Sequence, residues 1–442
     1  MTWEIRGVIE GFYGTPWTWA ERMQVARRGA DLGLTHYVYA PKDDPLHRQQ
    51  WRQPYGAEEL DGFASLADDG GLALGFALSP GLDIQAHDSA DHAALDAKVD
   101  QVVAVGASLV VLAFDDLPVE GVAPAQRGGE HADLTNRMVD HLAGRASVAI
   151  VPTDYTGTTS TPYLDALEAR LAPHVPIGWT GPYVVNDAIT GADAEARADA
   201  VGGRPPLLWD NYPVNDAFMA DRLFLGPLRG RDSALTDRCS GYLANAMVQP
   251  RCNALPLAST AAFCRGEDPQ VAWQMAAHDS GLAPLAEACD GALPVALVRA
   301  VIDEHQGGAG ERRGAAVVAL GQWLERAAAA EAPGLEGEAD GWVRQVVAEA
   351  NLALAALGLL DAARAGEGAT VAAASVMLGL SWPKLRRDGH TVMGPRLSVR
   401  PVFSQDGNGD WIFHRQSVIE NANAVDHLVR LALDVAAAPG AP

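Results

Sequence analysis

The chain has 442 residues, 48% of them hydrophobic and only 20% charged, enough apolar material for two or three domains or for one large barrel with an appendage. Its formal charge of -23 offers no basic field to gather phosphates, which excludes unassisted binding to nucleic acid or to an anionic membrane surface. The four cysteines, Cys239, Cys252, Cys264 and Cys289, form no C-x-x-C pair and read as buried thiols of a reducing compartment; no metal, cofactor or disulfide framework is expected.

The N-terminal MTWEIRGVIEGFYG enters a strand at once, without a charged-then-apolar leader. No run of about eighteen uninterrupted apolar residues suggests a membrane span, and the cytoplasm is the expected address. A strand-then-helix alternation follows. EIRGVIEGFY precedes the helical WTWAERMQVARRGADLG, THYVYAP precedes AEELDGFASLADDGG, and ALGFALSP precedes HAALDAKVDQVVAVG. SLVVLAFDD leads to LTNRMVDHLAGR, SVAIVPTDY to YLDALEARLA, and PIGWTG to DAEARADAVG. PPLLWDN leads to a segment holding AFMADRLFLG, and GYLANAM to PLASTAAFC. The strands are short and apolar with little alternation, as in a parallel sheet covered on both faces. Eight such units predict a (β/α)8 TIM barrel over residues 1–260, an α/β fold. A doubly wound open sheet fits less well, because no G-x-G-x-x-G turn follows the first strand.

Residues 261–442 are Ala-rich and read as an all-α helical bundle domain, a candidate surface for self-association. GAAVVALGQWLERAAAA places Val317, Leu320 and Leu324 on one face; WVRQVVAEANLALAALGLL does the same with Val343, Val346, Ala350, Leu354 and Leu357. APGLEGEADG (332–341) breaks the two helices. RPVFSQDGNGDWIF reads as a short hairpin or loop. Its D-x-N-x-D spacing lacks the glycine and the bidentate glutamate of a calcium loop, so a polar turn is the simpler account.

In a barrel of this type the chemistry gathers at the C-terminal strand ends. Those ends carry Glu10, Gly11 and Tyr13; Lys42, Asp43 and Asp44; Ser79; Asp115 and Asp116; Asp154 and Tyr155; Trp179; Trp209, Asp210 and Asn211, with Asn215 and Asp216 beyond; and Asn245. Carboxylates, amides, a lysine and indoles at one rim suit a neutral polyhydroxy ligand. The Asp115-Asp116 pair fits glycoside hydrolysis, which needs an acid for the departing oxygen and a second group near the anomeric carbon. Adjacent strand residues point to opposite faces, so both can serve only if the strand breaks there, and Leu117-Pro118 supplies a break. Helix capping or ion pairing is the plainer use of such a pair.

The blocks GVIEGFYGTPW, YVYAPKDDPLHRQQW, ALSPGLDI, LAFDDLP, PTDYTG, WTGPYVV, WDNYPVND and RLFLGPLRGR, in order over residues 4–250, closely resemble those of glycoside hydrolase family 84. These are the O-GlcNAcases and related β-N-acetylglucosaminidases. The resemblance implies an exo-acting, retaining enzyme that removes terminal β-linked N-acetylglucosamine from a glycoside or glycoprotein, through an oxazoline formed by the substrate's own acetamido group. It further implies that Asp115 polarises the acetamido N–H, that Asp116 is general acid and then base, and that Tyr155 positions the acetamido group. Gly11 would hold a sugar hydroxyl through its carbonyl; Lys42, Asn211, Asp216 and Asn245 would bind the hydroxyls and acetamido group; Trp209 would line the acetamide pocket.

Plainer readings stand beside these. Gly11 could simply permit a tight turn, and Asp44-Pro45 reads as a helix N-cap. Asp43 is structural, His47 packs, Tyr13 and Trp179 are given no role, and Asp210 faces away from the site. Two blocks depart from the family: LANAMVQP replaces an Asn-Pro-Asn-like block around Asn245, and Asp154 stands where Glu is usual. The rival functions are a catalytically idle barrel that binds an N-acetyl sugar as sensor or scaffold, and a metal-dependent hydrolase, for which a His-rich ligand set is lacking.

Overall fold

The computed structural model describes residues 3–118, 121–306, 314–335, 337–385, 389–394, 403–405, 411–413 and 423–438. Eight strands form one parallel sheet: β1 (Ile5–Glu10), β2 (His36–Tyr39), β3 (Ala73–Leu78), β4 (Ala107–Ala113), β5 (Ser147–Val151), β6 (Gly178–Trp179), β7 (Leu207–Asp210) and β8 (Gly241–Asn245). Their spatial order is β5-β4-β3-β2-β1-β8-β7-β6, and a single parallel bridge between Ile150 and Ile177 brings β5 to β6. The result is a nearly closed (β/α)8 barrel. β6 is only two residues long, and Pro176, which has no N–H to donate, lies two positions before it.

Side chains alternate along each strand. Ile9, Val38, Ala40, Ala77, Leu109, Val111, Ala113, Ala149, Val151, Leu207, Trp209 and Leu243 pack into one buried cluster inside the barrel. Residues of the opposite parity, such as Val8, Phe76, Val110, Leu112, Ile150, Leu208 and Tyr242, are buried outside that cluster, towards the helical layer. Covering both faces is why these strands read as continuous apolar runs. The helices begin where the sequence supplies caps: Thr18 with Glu21 and Thr190 with Asp193 each form a reciprocal capping box.

The seventh unit departs from its expected form. In AFMADRLFLG only Ala217–Met219 is helical, one 3-10 turn, and the helix after β7 is the short Leu235–Arg238. Ala217 sits at φ 50°, a left-handed residue that does not propagate a helix, and Leu223 and Leu225 are buried in irregular chain.

The chain divides into two compact units. The barrel unit holds the chain through Asp216 together with Leu228–Ala272; the other holds Ala217–Pro227 and the helices that follow Ala272. The second unit is built around the helix Asp340–Ala365, which packs against Ala315–Ala328, Gly368–Ser381 and Ala424–Ala437. Length and composition alone would let this helix cross a bilayer. Here it is a core helix: Trp342, Val346, Ala350, Leu357 and Leu360 are buried, and so are Gln345 and Glu349, which hydrogen-bond each other at 2.9 Å. Neighbours on several sides widen its buried face beyond the expected stripe, leaving Val343 and Leu354 half-buried at its edges. Val317, Leu320 and Leu324 are buried as expected. Phe403–Gln405 pairs antiparallel with Trp411–Phe413 as a hairpin, while the D-x-N-x-D segment lies outside the described residues.

Candidate active site

Continuing the inward alternation past each strand end gives the side chains at the barrel mouth. Ile9 leads to Gly11, Ala40 to Lys42, Ala113 to Asp115, Trp209 to Asn211 and Leu243 to Asn245. The intervening acids point the other way. Glu10 is fully buried against Arg22 (2.8 Å) and Tyr37, and Asp210 against Arg231 (2.6 Å) and Tyr242. These paired acids belong to the packing outside the barrel.

Asp116 should also face outward, yet it lies in the mouth. β4 ends at Ala113, and Asp116 takes φ 52°, a left-handed conformation rare for a residue with a side chain. The break falls at Asp116 itself rather than at Leu117-Pro118. Tyr155 is delivered by the loop after β5, whose backbone is fixed on both sides: Thr180 N–H donates to the Tyr155 carbonyl (2.9 Å) and buried Arg197 donates to the Asp154 carbonyl (2.8 Å).

The nine expected residues fall into two linked groups. Asp115 is 6% exposed; its Oδ2 is ion-paired with Lys42, and its buried Oδ1 has no hydrogen-bond partner. The Lys42 ammonium also lies 5.6 Å from the centre of the Trp209 ring. Trp209 Nε1 and Asn245 Nδ2 both donate to Asn211 Oδ1, at 3.0 and 2.8 Å, and Gly11 N–H donates to Asn245 Oδ1 at 3.1 Å. Asn211 donates in turn to the Val184 carbonyl at 2.7 Å. Gly11 has a steric reason beyond turn formation: a Cβ there would stand 2.3 Å from the Trp209 ring.

The second group surrounds Asp116. Tyr155 donates its hydroxyl to Asp116 Oδ1 and Tyr13 donates to Oδ2, each at 2.8 Å. Burial first, and then the neighbouring Asp116 charge, raise both phenols above their ordinary value, so they stay protonated donors. Asp216 Oδ2 accepts from the Tyr13 N–H at 2.7 Å; burial chiefly, with Asp116 adding to it, raises its proton affinity. Asp43 accepts from Gly14 N–H at 2.8 Å, a structural role. Asp44 binds Leu46 N–H at 2.8 Å and caps a run of turns rather than a helix. Trp179 is fully buried packing.

Two participants are absent from the expected set. Tyr13 continues the Ile9–Gly11 alternation, and that signal was available in the sequence. Arg48 donates to the Tyr13 hydroxyl (2.9 Å) and to the Asp116 carbonyl (2.8 Å), and no periodicity points to it. Among the described residues, no group of three or more His, Cys, Asp or Glu side chains could hold a metal ion.

Beneath the carboxylates, His131 stacks on Phe114 with centroids 3.8 Å apart and shares a 2.8 Å hydrogen bond with the Tyr163 hydroxyl. Tyr163 accepts from Thr153 N–H at 3.1 Å, and the Thr153 hydroxyl donates to the Phe114 carbonyl at 2.8 Å. This ties the Asp115-Asp116 loop to the Tyr155 loop. His47 is equally buried, with Nδ1 2.9 Å from the Ala77 carbonyl, and packs as expected. Burial pushes both imidazoles down to about 3, whereas an unfolded chain protonates histidine near about 6.5. Unfolding between those values takes up a proton at each. Stability is therefore whole above pH ~6.5 and should fall towards pH 3, by about 1.4 kcal/mol per histidine per unit. His131→Asn should flatten this slope in urea denaturation between pH 7 and 4 (working range set by about those two values); an unchanged slope would mean that His131 titrates normally in the fold.

A family model described as beta-N-acetylglucosaminidase matches residues 6–289. Protein O-GlcNAcase of Rattus norvegicus and that of Mus musculus are each 36% identical over 253 residues, 54% of this chain and 27% of theirs. The chain thus spans about a quarter (27%) of the length of these relatives. The solved structure of a mutant Thermobaculum terrenum O-GlcNAc hydrolase shares the fold, with TM-score 0.80 and 24% identity over 98% of this chain and 94% of that one. Since the matched segment, residues 6–289, takes in the barrel and well over half of the sequence, the chain belongs to glycoside hydrolase family 84, the family of the β-N-acetylglucosaminidases.

Proposed function

We propose that the chain is a retaining exo-β-N-acetylglucosaminidase that hydrolyses terminal β-linked N-acetylglucosamine with the substrate's acetamido oxygen as nucleophile. The observation that carries this is the buried, unpartnered Asp115 Oδ1 beside an Asp116 whose two oxygens are both held by phenols. A buried carboxylate oxygen without a donor is costly, and an entering amide N–H would satisfy it. In the proposed first step the acetamido oxygen bonds to the anomeric carbon while its N–H is polarised by Asp115. The bond to the aglycone breaks, and the departing oxygen takes a proton from Asp116. Tyr155 would turn its hydroxyl from Asp116 to the acetamido oxygen, leaving Asp116 Oδ1 to face the leaving group. In the second step water adds to the anomeric carbon, gives its proton to Asp116 and reopens the oxazoline, with configuration retained.

Lys42, Asn211, Asp216, Asn245 and the Gly11 carbonyl would hold the sugar, with Trp209 against the acetyl methyl. The rodent relatives are protein O-GlcNAcases, which favours a glycoprotein as the substrate class. None of the four cysteines is in a disulfide, which supports a reducing compartment, for which the cytoplasm is our assignment. The test is a series of aryl glycosides whose N-acetyl group carries one, two or three fluorines. Each fluorine weakens the acetamido oxygen as a nucleophile, so kcat/KM should fall stepwise. A flat series would sink the substrate-assisted reading.

A further inference from the structure

Arg48 is 6% exposed, and its donors go to a tyrosine oxygen and a backbone carbonyl. Among the described residues no carboxylate stands within ion-pair distance of it. Burying a guanidinium without a carboxylate is expensive, so the two bonds it makes need a reason. The first is to the carbonyl of Asp116, the residue at φ 52°. A side-chain-bearing residue held left-handed is strained and persists only where its surroundings hold it. A charge-assisted bond to its own carbonyl opposes reversion to the extended form, in which the carboxylate would swing out of the mouth. The second bond fixes a direction. A phenol has one proton; with Arg48 donating to the Tyr13 oxygen, that proton is left to point at Asp116 Oδ2.

Arg48 is itself rigidly mounted. Asp44 binds the Leu46 N–H at 2.8 Å, His47 is tied to the Ala77 carbonyl at 2.9 Å, and the Ser79 N–H donates to the His47 carbonyl at 3.0 Å. The segment after β2 is thereby fastened to the end of β3.

We propose that Arg48 is the positioning residue of the general acid: it locks the backbone of Asp116 and, through Tyr13, the orientation of its carboxyl group. The inference rests on the reading of Asp116 as general acid. Its consequence is selective. A misplaced acid matters when the departing oxygen needs a proton and little when the leaving group is already a stable anion.

The experiment uses aryl β-N-acetylglucosaminides from phenyl to dinitrophenyl with wild type, Arg48→Met, Arg48→Lys and Asp116→Ala. Arg48→Met should lose about 10- to 100-fold in kcat/KM, which reads the first step alone, on the phenyl glycoside and less than about 3-fold on the dinitrophenyl one. Arg48→Lys keeps the charge but cannot fork to both acceptors, and should fall between. If Arg48→Met does not fold, Tyr13→Phe, at a half-exposed ring, carries the same test and should show the same selectivity more weakly. An equal loss on every substrate would mean a merely structural arginine and overturn the inference. A steep leaving-group dependence in Asp116→Ala with none in the Arg48 and Tyr13 variants would overturn it while sparing the reading of Asp116. No dependence in Asp116→Ala would overturn both.

Discussion

An Asp115→Asn variant should lose roughly 100- to 1,000-fold in kcat on aryl N-acetylglucosaminides, with a far smaller change in KM. The amide keeps the shape, and its Oδ1 still accepts from an acetamido N–H. On the proposed mechanism, what disappears is the negative charge that offsets the positive charge developing on the oxazoline in the transition state. The loss therefore belongs to kcat. A second consequence separates chemistry from folding. Lys42 is buried, and among the described residues its one carboxylate partner is Asp115. Depriving a buried lysine of its counter-ion costs on the order of 3–5 kcal/mol. Asp115→Asn should therefore lower Tm as well, and Lys42→Met in the same chain should restore much of that stability without restoring kcat. Retention of kcat within about 2-fold in Asp115→Asn would remove Asp115 from the mechanism.

The barrel was legible because its strands carry the two-residue alternation of side chains into their ends. Ile9 to Gly11, Ala113 to Asp115 and Leu243 to Asn245 could be extrapolated from apolar residues that must face inward. The same rule sets Asp210 aside, and it lies outside the mouth, paired with Arg231. Asp116 escaped the rule. An aspartate at φ 52° carries no glycine or asparagine signature, and the contacts that hold it come from Arg48 and Tyr13, 68 and 103 positions away in sequence. Arg48 was invisible for the same reason: one cation in a charged segment is unremarkable until the fold sets its guanidinium beside a particular carbonyl. The failed helix at AFMADRLFLG has a different origin. Its apolar residues suit a helix locally, but Leu223 and Leu225 are claimed by burial in the second unit, and tertiary packing overrode propensity.

Asp116→Ala should produce the largest loss, and an unequal one. On substrates whose aglycone must leave as an alkoxide, as from a serine or a simple alcohol, removal of the acid should cost roughly 100- to 10,000-fold in kcat/KM. On a dinitrophenyl glycoside the first step needs no proton, so formation of the oxazoline should proceed nearly as in wild type. Its hydrolysis still needs a base and should become limiting, which predicts a burst of dinitrophenol followed by a slow steady state. Azide, a nucleophile that needs no base, should accelerate that steady state and give the β-glycosyl azide, the retained product. The fold should tolerate the change. The Asp116 carboxylate accepts from Tyr13 and Tyr155, and Arg48 binds only the backbone carbonyl, which alanine keeps; Tyr13 is half-exposed, so its freed phenol can turn to water. Asp115 is bound to a buried lysine and Asp116 to hydroxyls that can reorient, and from this difference the two variants should separate: Asp115→Asn losing stability with activity, Asp116→Ala losing activity alone. Unchanged turnover of an alkyl glycoside by Asp116→Ala would place the acid elsewhere, and Asp216, whose proton affinity burial already raises at the same mouth, would be the group to examine next.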